Sequence, residues 1–431
     1  MVQDSYVFLY GVIKMAFPKV LRVKQQFDPA HVVDIPAKVS QEISKLNLSS
    51  RLKPGDTVAI TGGSRGINNI ALIIKCVADE LKGLGARPFI IPAMGSHGGG
   101  TAEGQCSVLE HYGIMESTMG VPIRATMETV QVGETEQGIP VLVDAYAHSA
   151  DHIVVVNRVK PHTDFNGEIE SGLCKMMVIG LGKQRGANIY HRSNIKYGYN
   201  VVIGSVSRIV RNKCKVLFGL GVVENAYDET AFIEAIAAPD IESREKQLLL
   251  LAKTNLARIP FDQGDVLVID EMGKNISGSG MDTNVIGRSV TQREGGPSKP
   301  SFTRIFVRDL TEESNGNAVG IGLADLVTKR LVDKIDYKPM YLNAITSTNV
   351  EAARIPPFFD TDREAIEVAF STSGTEPESS RLVWIKNTLK LDEFIASEAF
   401  LDEIQNRSNL KILENLGELP LSSTGELVPL L

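Results

Sequence analysis

Two histidines sit on loops that follow strongly apolar runs. His97 lies in AMGSHGGGTAEGQ (93–105), among five glycines, directly after PFIIP (88–92). His162 lies in KPHTDFNGE (160–168), directly after IVVVNRV (153–159). An unperturbed imidazole titrates near about 6.5, so a neutral ring able to take a proton is available at physiological pH. Two cations occupy the same kind of position: Arg65 in TGGSRGI (61–67) after DTVAI, and Lys274 in EMGKNISGSG (271–280) after VLVID. In open parallel sheets ligands sit outside the carboxyl ends of the strands, where loops diverge and main-chain groups are free. Taken singly, each of these residues reads as a tight turn, a cap or a solvated charge. Two histidines and two cations on loops from one predicted edge read as one site.

The segment Pro161–Arg192 adds two further residues. Lys175 follows His162 by thirteen positions, and His191 follows Lys175 by sixteen. Lys175 stands in the apolar run LCKMMVIGLG, where an unpaired ammonium is costly to bury. It is therefore neutral, paired or covalently modified, or it is a lysine whose stem is buried and whose head reaches solvent. The other histidines, His31, His111, His148 and His152, stand in ordinary helical or loop contexts and are read as structural.

The elements that must carry these residues alternate. DTVAI, RPFIIP, DHIVVVNRV (151–159) and KVLFGLG (215–221) read as buried strands, and the spacing of Ile70, Ile73, Ile74, Val77 and Leu81 predicts a helix. A second helix is expected from about Ala102 to Tyr112, with Thr101 as its N-cap. Strand and helix in alternation imply an α/β fold with mostly parallel or mixed sheets flanked by helices. GDVLVIDEMG (264–273) repeats the pattern of GDTVAITGG (55–63), and NAVGIGLADLVTKRLV (317–332) is read as continuing it into a helix. At 431 residues the chain exceeds what one core supports. Two domains are expected: 1–258, joined by C-terminal helices at 389–431, and 264–388. A net charge of −7 argues against nucleic-acid and anionic-membrane partners, and no apolar run approaches the roughly 20 residues that span a bilayer. A soluble, cytoplasmic protein is expected. The four cysteines show no CxxC pair and no zinc spacing.

With these residues assembled, the sequence resembles the lactate racemase family of nickel-pincer enzymes, on GSHGGGTAEGQ, the KPH loop, the Lys175–His191 spacing and the Arg65 loop. The resemblance implies two α/β domains with the active site in the cleft between them. It implies a covalently attached cofactor, the pyridinium-3,5-bisthiocarboxylic acid mononucleotide, which binds nickel through sulfur, carbon and sulfur. By motif match Lys175 tethers the cofactor and His191 completes the nickel ligands, a donor that suits Ni(II). His97 and His162 become the paired general bases of a 2-hydroxy-acid racemase or epimerase. Arg65 becomes the carboxylate clamp and Lys274 a second anion contact. Gly63, Gly98 and Gly99 let backbone N–H groups approach the cofactor. Cofactor maturation enzymes in the host are implied as partners.

One departure concerns the loop between His162 and Lys175, which is longer and more acidic than in lactate-specific members. Asp164, Asn166, Glu168 or Glu170 would line a pocket for a larger or more hydroxylated 2-hydroxy acid. Two competing readings are a nicotinamide-dependent dehydrogenase and a non-catalytic nucleotide- or hydroxy-acid-binding protein. The first lacks a GxGxxG followed by an acidic residue about 20 positions on.

Overall fold

The computed structural model describes residues 16–64, 66–290 and 298–430. The chain divides into two compact units, Asp28–Ala257 and the described residues on either side of it. Each is built on its own sheet.

Among the described residues, the 28–257 unit holds a five-stranded sheet in the order Arg87–Pro92, Thr57–Gly62, His152–Arg158, Val216–Glu224, Thr230–Ala237. The first four strands are parallel and the last is antiparallel. Alternation along the strands sorts their side chains to two faces. Ala59, Ile153 and Val155 pack with Leu173, Tyr190, Val206 and Leu248. Val58, Ile60, Val154 and Val156 pack with Ile73, Ile74, Val77 and Leu81 on the opposite face. The expected helix is present as Ile70–Gly83, with those positions buried. The second is Ala102–His111, and the Thr101 hydroxyl accepts from the Gly104 amide as its N-cap. Both faces of the sheet are therefore covered, and only its edges and strand ends can reach a ligand.

The other unit holds, among the described residues, an eight-stranded sheet in the order Phe358–Phe359, Leu326–Thr328, Ser301–Leu310, Gln263–Met272, Leu382–Ile385, Glu393–Ser397, Lys19–Gln25, Leu410–Glu418. The first five strands are parallel, and the rest pair antiparallel.

Three expectations are corrected here. The 389–431 tail is not helical and does not join the 28–257 unit. It supplies two strands and only the short helix Leu401–Gln405. Phe394, Ile395 and Ala396 are buried on both faces and paired on both edges, an environment that a helix with one apolar stripe cannot fill. The strand Lys19–Gln25, assigned by sequence to the first domain, inserts between Glu393–Ser397 and Leu410–Glu418. The 317–332 segment folds as a turn, the strand Leu326–Thr328 and the short helix Lys329–Asp333.

An ion network organises this second sheet. The fully buried Asp362 carboxylate accepts from Arg308 Nε at 2.9 Å and Nη2 at 2.7 Å, from Arg330 Nη2 at 2.6 Å and from the Leu427 amide at 2.9 Å. Arg308 also pairs with Asp270, whose Oδ1 accepts from Trp384 Nε1 at 2.6 Å. Burial alone would raise the Asp362 pKa, but the Arg308 and Arg330 guanidinium groups hold it below the usual carboxylate range. Its stabilising contribution is thus present above the unfolded carboxyl value near about 4 and is lost as pH falls through the lower folded value. Asp362→Ala, which takes from the buried Arg308 and the part-exposed Arg330 their shared counter-charge, is expected to cost about 3 kcal/mol in denaturant unfolding. A midpoint equal to the parent's would refute the network's role.

Candidate functional site

The parallel strands of the 28–257 unit release their loops at one sheet edge. The His97 loop leaves Pro92, the Gly63 loop leaves Gly62 and the His162 loop leaves Arg158. Their strands are neighbours in that order, so the two histidine loops flank the Gly63 loop. Arg65 lies outside the described residues.

The His97 loop is shaped by glycine. Gly95, Gly98, Gly99 and Gly100 all have φ between +59° and +67°. Gly98 also meets the backbone of Gly104 so closely that an added Cβ would lie 2.6 Å from it. The three consecutive left-handed residues fold the loop back onto the Ala102–His111 helix and leave His97 exposed. His97 Nδ1 lies 2.8 Å from the Met94 carbonyl, which can only accept, so Nδ1 carries the proton. In the neutral ring the lone pair is then on Nε2.

His162 has the opposite tautomer. It is nearly buried, stacks on Phe165 with centroids 4.4 Å apart, and its Nδ1 accepts from the Asp164 amide at 3.0 Å. The neutral ring therefore presents Nε2–H. The Asp164 carboxylate stands 3.9 Å from Nδ1, a ready counter-charge for the protonated ring. Glu170, fully enclosed, holds this loop: its carboxylate accepts from the His162 amide at 2.6 Å, the Gly167 amide at 3.0 Å and Lys253 Nζ at 2.5 Å. Glu168 pairs with Lys246 at 2.6 Å. Two of the four polar residues expected to line a pocket thus meet lysines of the Ile241–Asn255 helix, Glu170 enclosed and Glu168 exposed at the rim of a surface cavity.

Lys175 ends the short helix Leu173–Lys175, which runs through the wide turn Met176–Gly180 into the Leu181–Tyr197 helix that bears His191. Such widened turns recur at functional sites. Gly63 packs beside this turn, where an added Cβ would lie 3.2 Å from Met176 Cε. The buried Glu245 carboxylate accepts from the Cys174 amide at 2.8 Å and so caps the helix start. It leaves no room for a Cβ at Gly172.

His191 makes an unusual pair with Lys175. Burial, followed by the Lys175 charge, pushes the His191 pKa down to about 4, so the ring is neutral near pH 7. Its Nδ1 is enclosed without a hydrogen-bond partner, and so is Asn194 Oδ1 one turn further along the helix. A neutral imidazole is the metal-binding form, and a ligating histidine normally donates its other N–H to an acceptor. An amide-type linkage at Lys175 would remove the charge beside it. These residues fit a tethered, metal-bearing group. No cluster of three or more His, Cys, Asp or Glu able to hold a metal occurs among the described residues.

Lys274 belongs to the other unit, where its Nζ donates to the Gly278 carbonyl and, at 2.8 Å, to Asn343 Oδ1. Sequence reading missed Glu245, Asn194, Gln105 and Lys183. Lys183 is fully buried and lies eight residues beyond Lys175 in the same apolar run, which was the available signal. No helix among the described residues is long and apolar enough to cross a membrane.

Glu245 yields a pH test. Burial pushes its pKa up to about 7 from 4.5, against the opposing hydrogen bond from Cys174. The folded state therefore binds this proton more tightly than the unfolded chain, and stability falls as pH rises from 4.5 towards 7. Glu245→Gln should abolish that slope in urea unfolding at stepped pH, while an unchanged slope would assign it elsewhere.

The sequence family described as the lactate racemase N-terminal domain matches residues 16–200, a span that includes His97, His162, Lys175 and His191. The lactate racemase apoprotein from Thermoanaerobacterium thermosaccharolyticum is similar over 85% of this chain and 94% of its own, at 14% identity and a TM-score of 0.52. A Thermotoga maritima protein solved by a structural genomics consortium is similar over 83% of this chain and 97% of its own, at 14% identity and a TM-score of 0.50. None of the curated proteins matches. Residues 16–200 therefore match the lactate racemase N-terminal domain model, and the chain has the fold of the lactate racemase apoprotein.

Proposed function

We propose that this chain is a racemase or epimerase that inverts the C2 centre of a 2-hydroxy acid. The observation that carries the reading is the pair of histidines raised from one sheet edge, His97 with its lone pair on Nε2 and His162 beside a carboxylate that can pair with its protonated ring. Inversion requires a group that takes the hydroxyl proton and another that returns one once C2 has become planar. His97 presents a lone pair at Nε2 and is the resting base. His162 begins the turnover as the imidazolium, paired with the Asp164 carboxylate 3.9 Å from Nδ1; it gives its Nε2 proton to the substrate oxygen and is left neutral. Each ring then ends the turnover in the protonation state the other began with, as reversible chemistry at one carbon demands.

Lys175 and His191 are the residues that would hold a nickel-pincer nucleotide, Lys175 covalently and His191 as a nickel ligand. That group supplies a reversible hydride acceptor for the hydrogen on C2. Gly63, Gly98 and Gly99 offer it backbone N–H groups without side-chain bulk, and maturation enzymes of the host supply it. Arg65 is assigned to the substrate carboxylate, because a guanidinium binds a carboxylate through two parallel hydrogen bonds. Preference for a polyhydroxylated acid is assigned to the polar loop after His162, Asp164, Asn166 and Glu168, with Glu170 holding the loop's backbone.

The test is co-expression with pincer maturation enzymes, then intact mass, nickel content and loss of optical purity over a panel of chiral 2-hydroxy acids. The parent should carry an adduct on Lys175, and Lys175→Ala should carry none. His97→Ala and His162→Ala should retain the adduct and lose about 10²–10⁴-fold in racemisation. Protein with neither adduct nor nickel, under conditions that load a known racemase, would favour a binding role.

A further inference from the structure

Lys183 has a backbone that its side chain does not explain locally. It sits inside the Leu181–Tyr197 helix at φ 55° and ψ −164°, a region that glycine occupies freely and other residues only under strain. Gly180, Gly182 and Gly186 surround it, yet this position carries a lysine, and its side chain is fully enclosed. The reason lies in where the ammonium goes. Nζ donates to the Pro92 carbonyl at 2.8 Å and to Gln105 Oε1 at 2.6 Å, with the buried Asp144 carboxylate 3.5 Å away as its counter-charge.

Pro92 is the last residue before the His97 loop. Gln105, itself fully buried on the Ala102–His111 helix, turns its Nε2 to the Gly95 carbonyl at 2.9 Å and the His97 carbonyl at 3.2 Å. Two side chains that bind each other thus hold three carbonyls, at the start and in the middle of one loop. That loop needs an external hold. Four of its residues are glycines at positive φ, which lose the most conformational freedom on being fixed. The ring bond from His97 to Met94 orients the imidazole within the loop but does not anchor the loop to the rest of the domain.

We propose that Lys183 and Gln105 are positioning residues, forming a buried tether that fixes the His97 loop against the start of the Leu181–Tyr197 helix, between Lys175 and His191. Lys183 lies midway between those two, eight residues from each. The continuous segment 173–197 then sets the spacing of the base, Lys175 and the imidazole at 191. The inference rests on His97 being the base of the proposed reaction. It adds the device that keeps that base at a fixed place.

Gln105→Glu separates the tether from general folding, because it keeps an acceptor for Lys183 and replaces the donor to Gly95 and His97 with a repelling oxygen. Applied to the cofactor-loaded enzyme, it should speed hydrogen exchange at the amides of residues 94–101 while leaving exchange at 173–191 unchanged. Adduct and nickel should be retained, and kcat should fall about a hundredfold with KM little changed, as misplacement of a reacting group by about 1 Å does. Lys183→Met should loosen the same amides. If it fails to fold, Gln105→Glu still decides. Unchanged exchange at 94–101 in Gln105→Glu overturns the tether. Faster exchange with undiminished turnover leaves the tether standing and overturns His97 as the base.

Discussion

The structure depends on one constraint: a parallel sheet buried on both faces has nowhere to put polar chemistry except beyond its strand ends. In the 28–257 unit the strands alternate Ala59, Ile153 and Val155 against Val58, Ile60 and Val154, and helices cover both sides. Main-chain groups left over at the carboxyl edge are then the natural partners of a ligand. The two histidine loops and the Lys175 turn all issue from that apolar slab. Their polar residues are satisfied by neighbours within the same domain, Glu170 by Lys253 and Lys183 by Gln105, rather than by solvent.

Burial has a second effect, on protonation. The same enclosure that keeps His191 neutral raises the Glu245 carboxyl beneath the Lys175 turn. Both groups are uncharged more readily than in water, because the apolar surroundings of the Lys175 turn disfavour their charged forms. The tautomers of His97 and His162 are set instead by short backbone contacts, Met94 O and the Asp164 amide, which depend on loop conformation and not on depth.

The parts that were legible in the sequence are those whose cause is local. The strands show as β-branched runs, the Ile70–Gly83 helix as a 3.6 period and the loops as glycine or proline clusters. Lys175 and His191 stood out through type and spacing within one segment. Lys183 did not, because Pro92 and Gln105 lie 91 and 78 residues from it in sequence. The tail from 389 misled for the same reason: the spacing of its apolar residues suits a helix, while its pairing partner is the strand Lys19–Gln25. Glu170 looked like a pocket-lining acid until its carboxylate was found enclosed against Lys253, whereas Glu168 does line a surface cavity together with Lys246.

That pairing of Lys19–Gln25 with the tail bears on how the chain is made. The strand emerges from the ribosome early, with Val20, Leu21 and Val23 apolar and both its edges open, yet its neighbours Glu393–Ser397 and Leu410–Glu418 are translated nearly 400 residues later. At about 5–20 residues per second this wait lasts roughly 20–80 seconds. The 28–257 unit has all its strands in hand before then and can close while the ribosome is still working. Until residues 393–418 have been made, Lys19–Gln25 has no partner for either edge, and an open apolar edge is a template for mispairing.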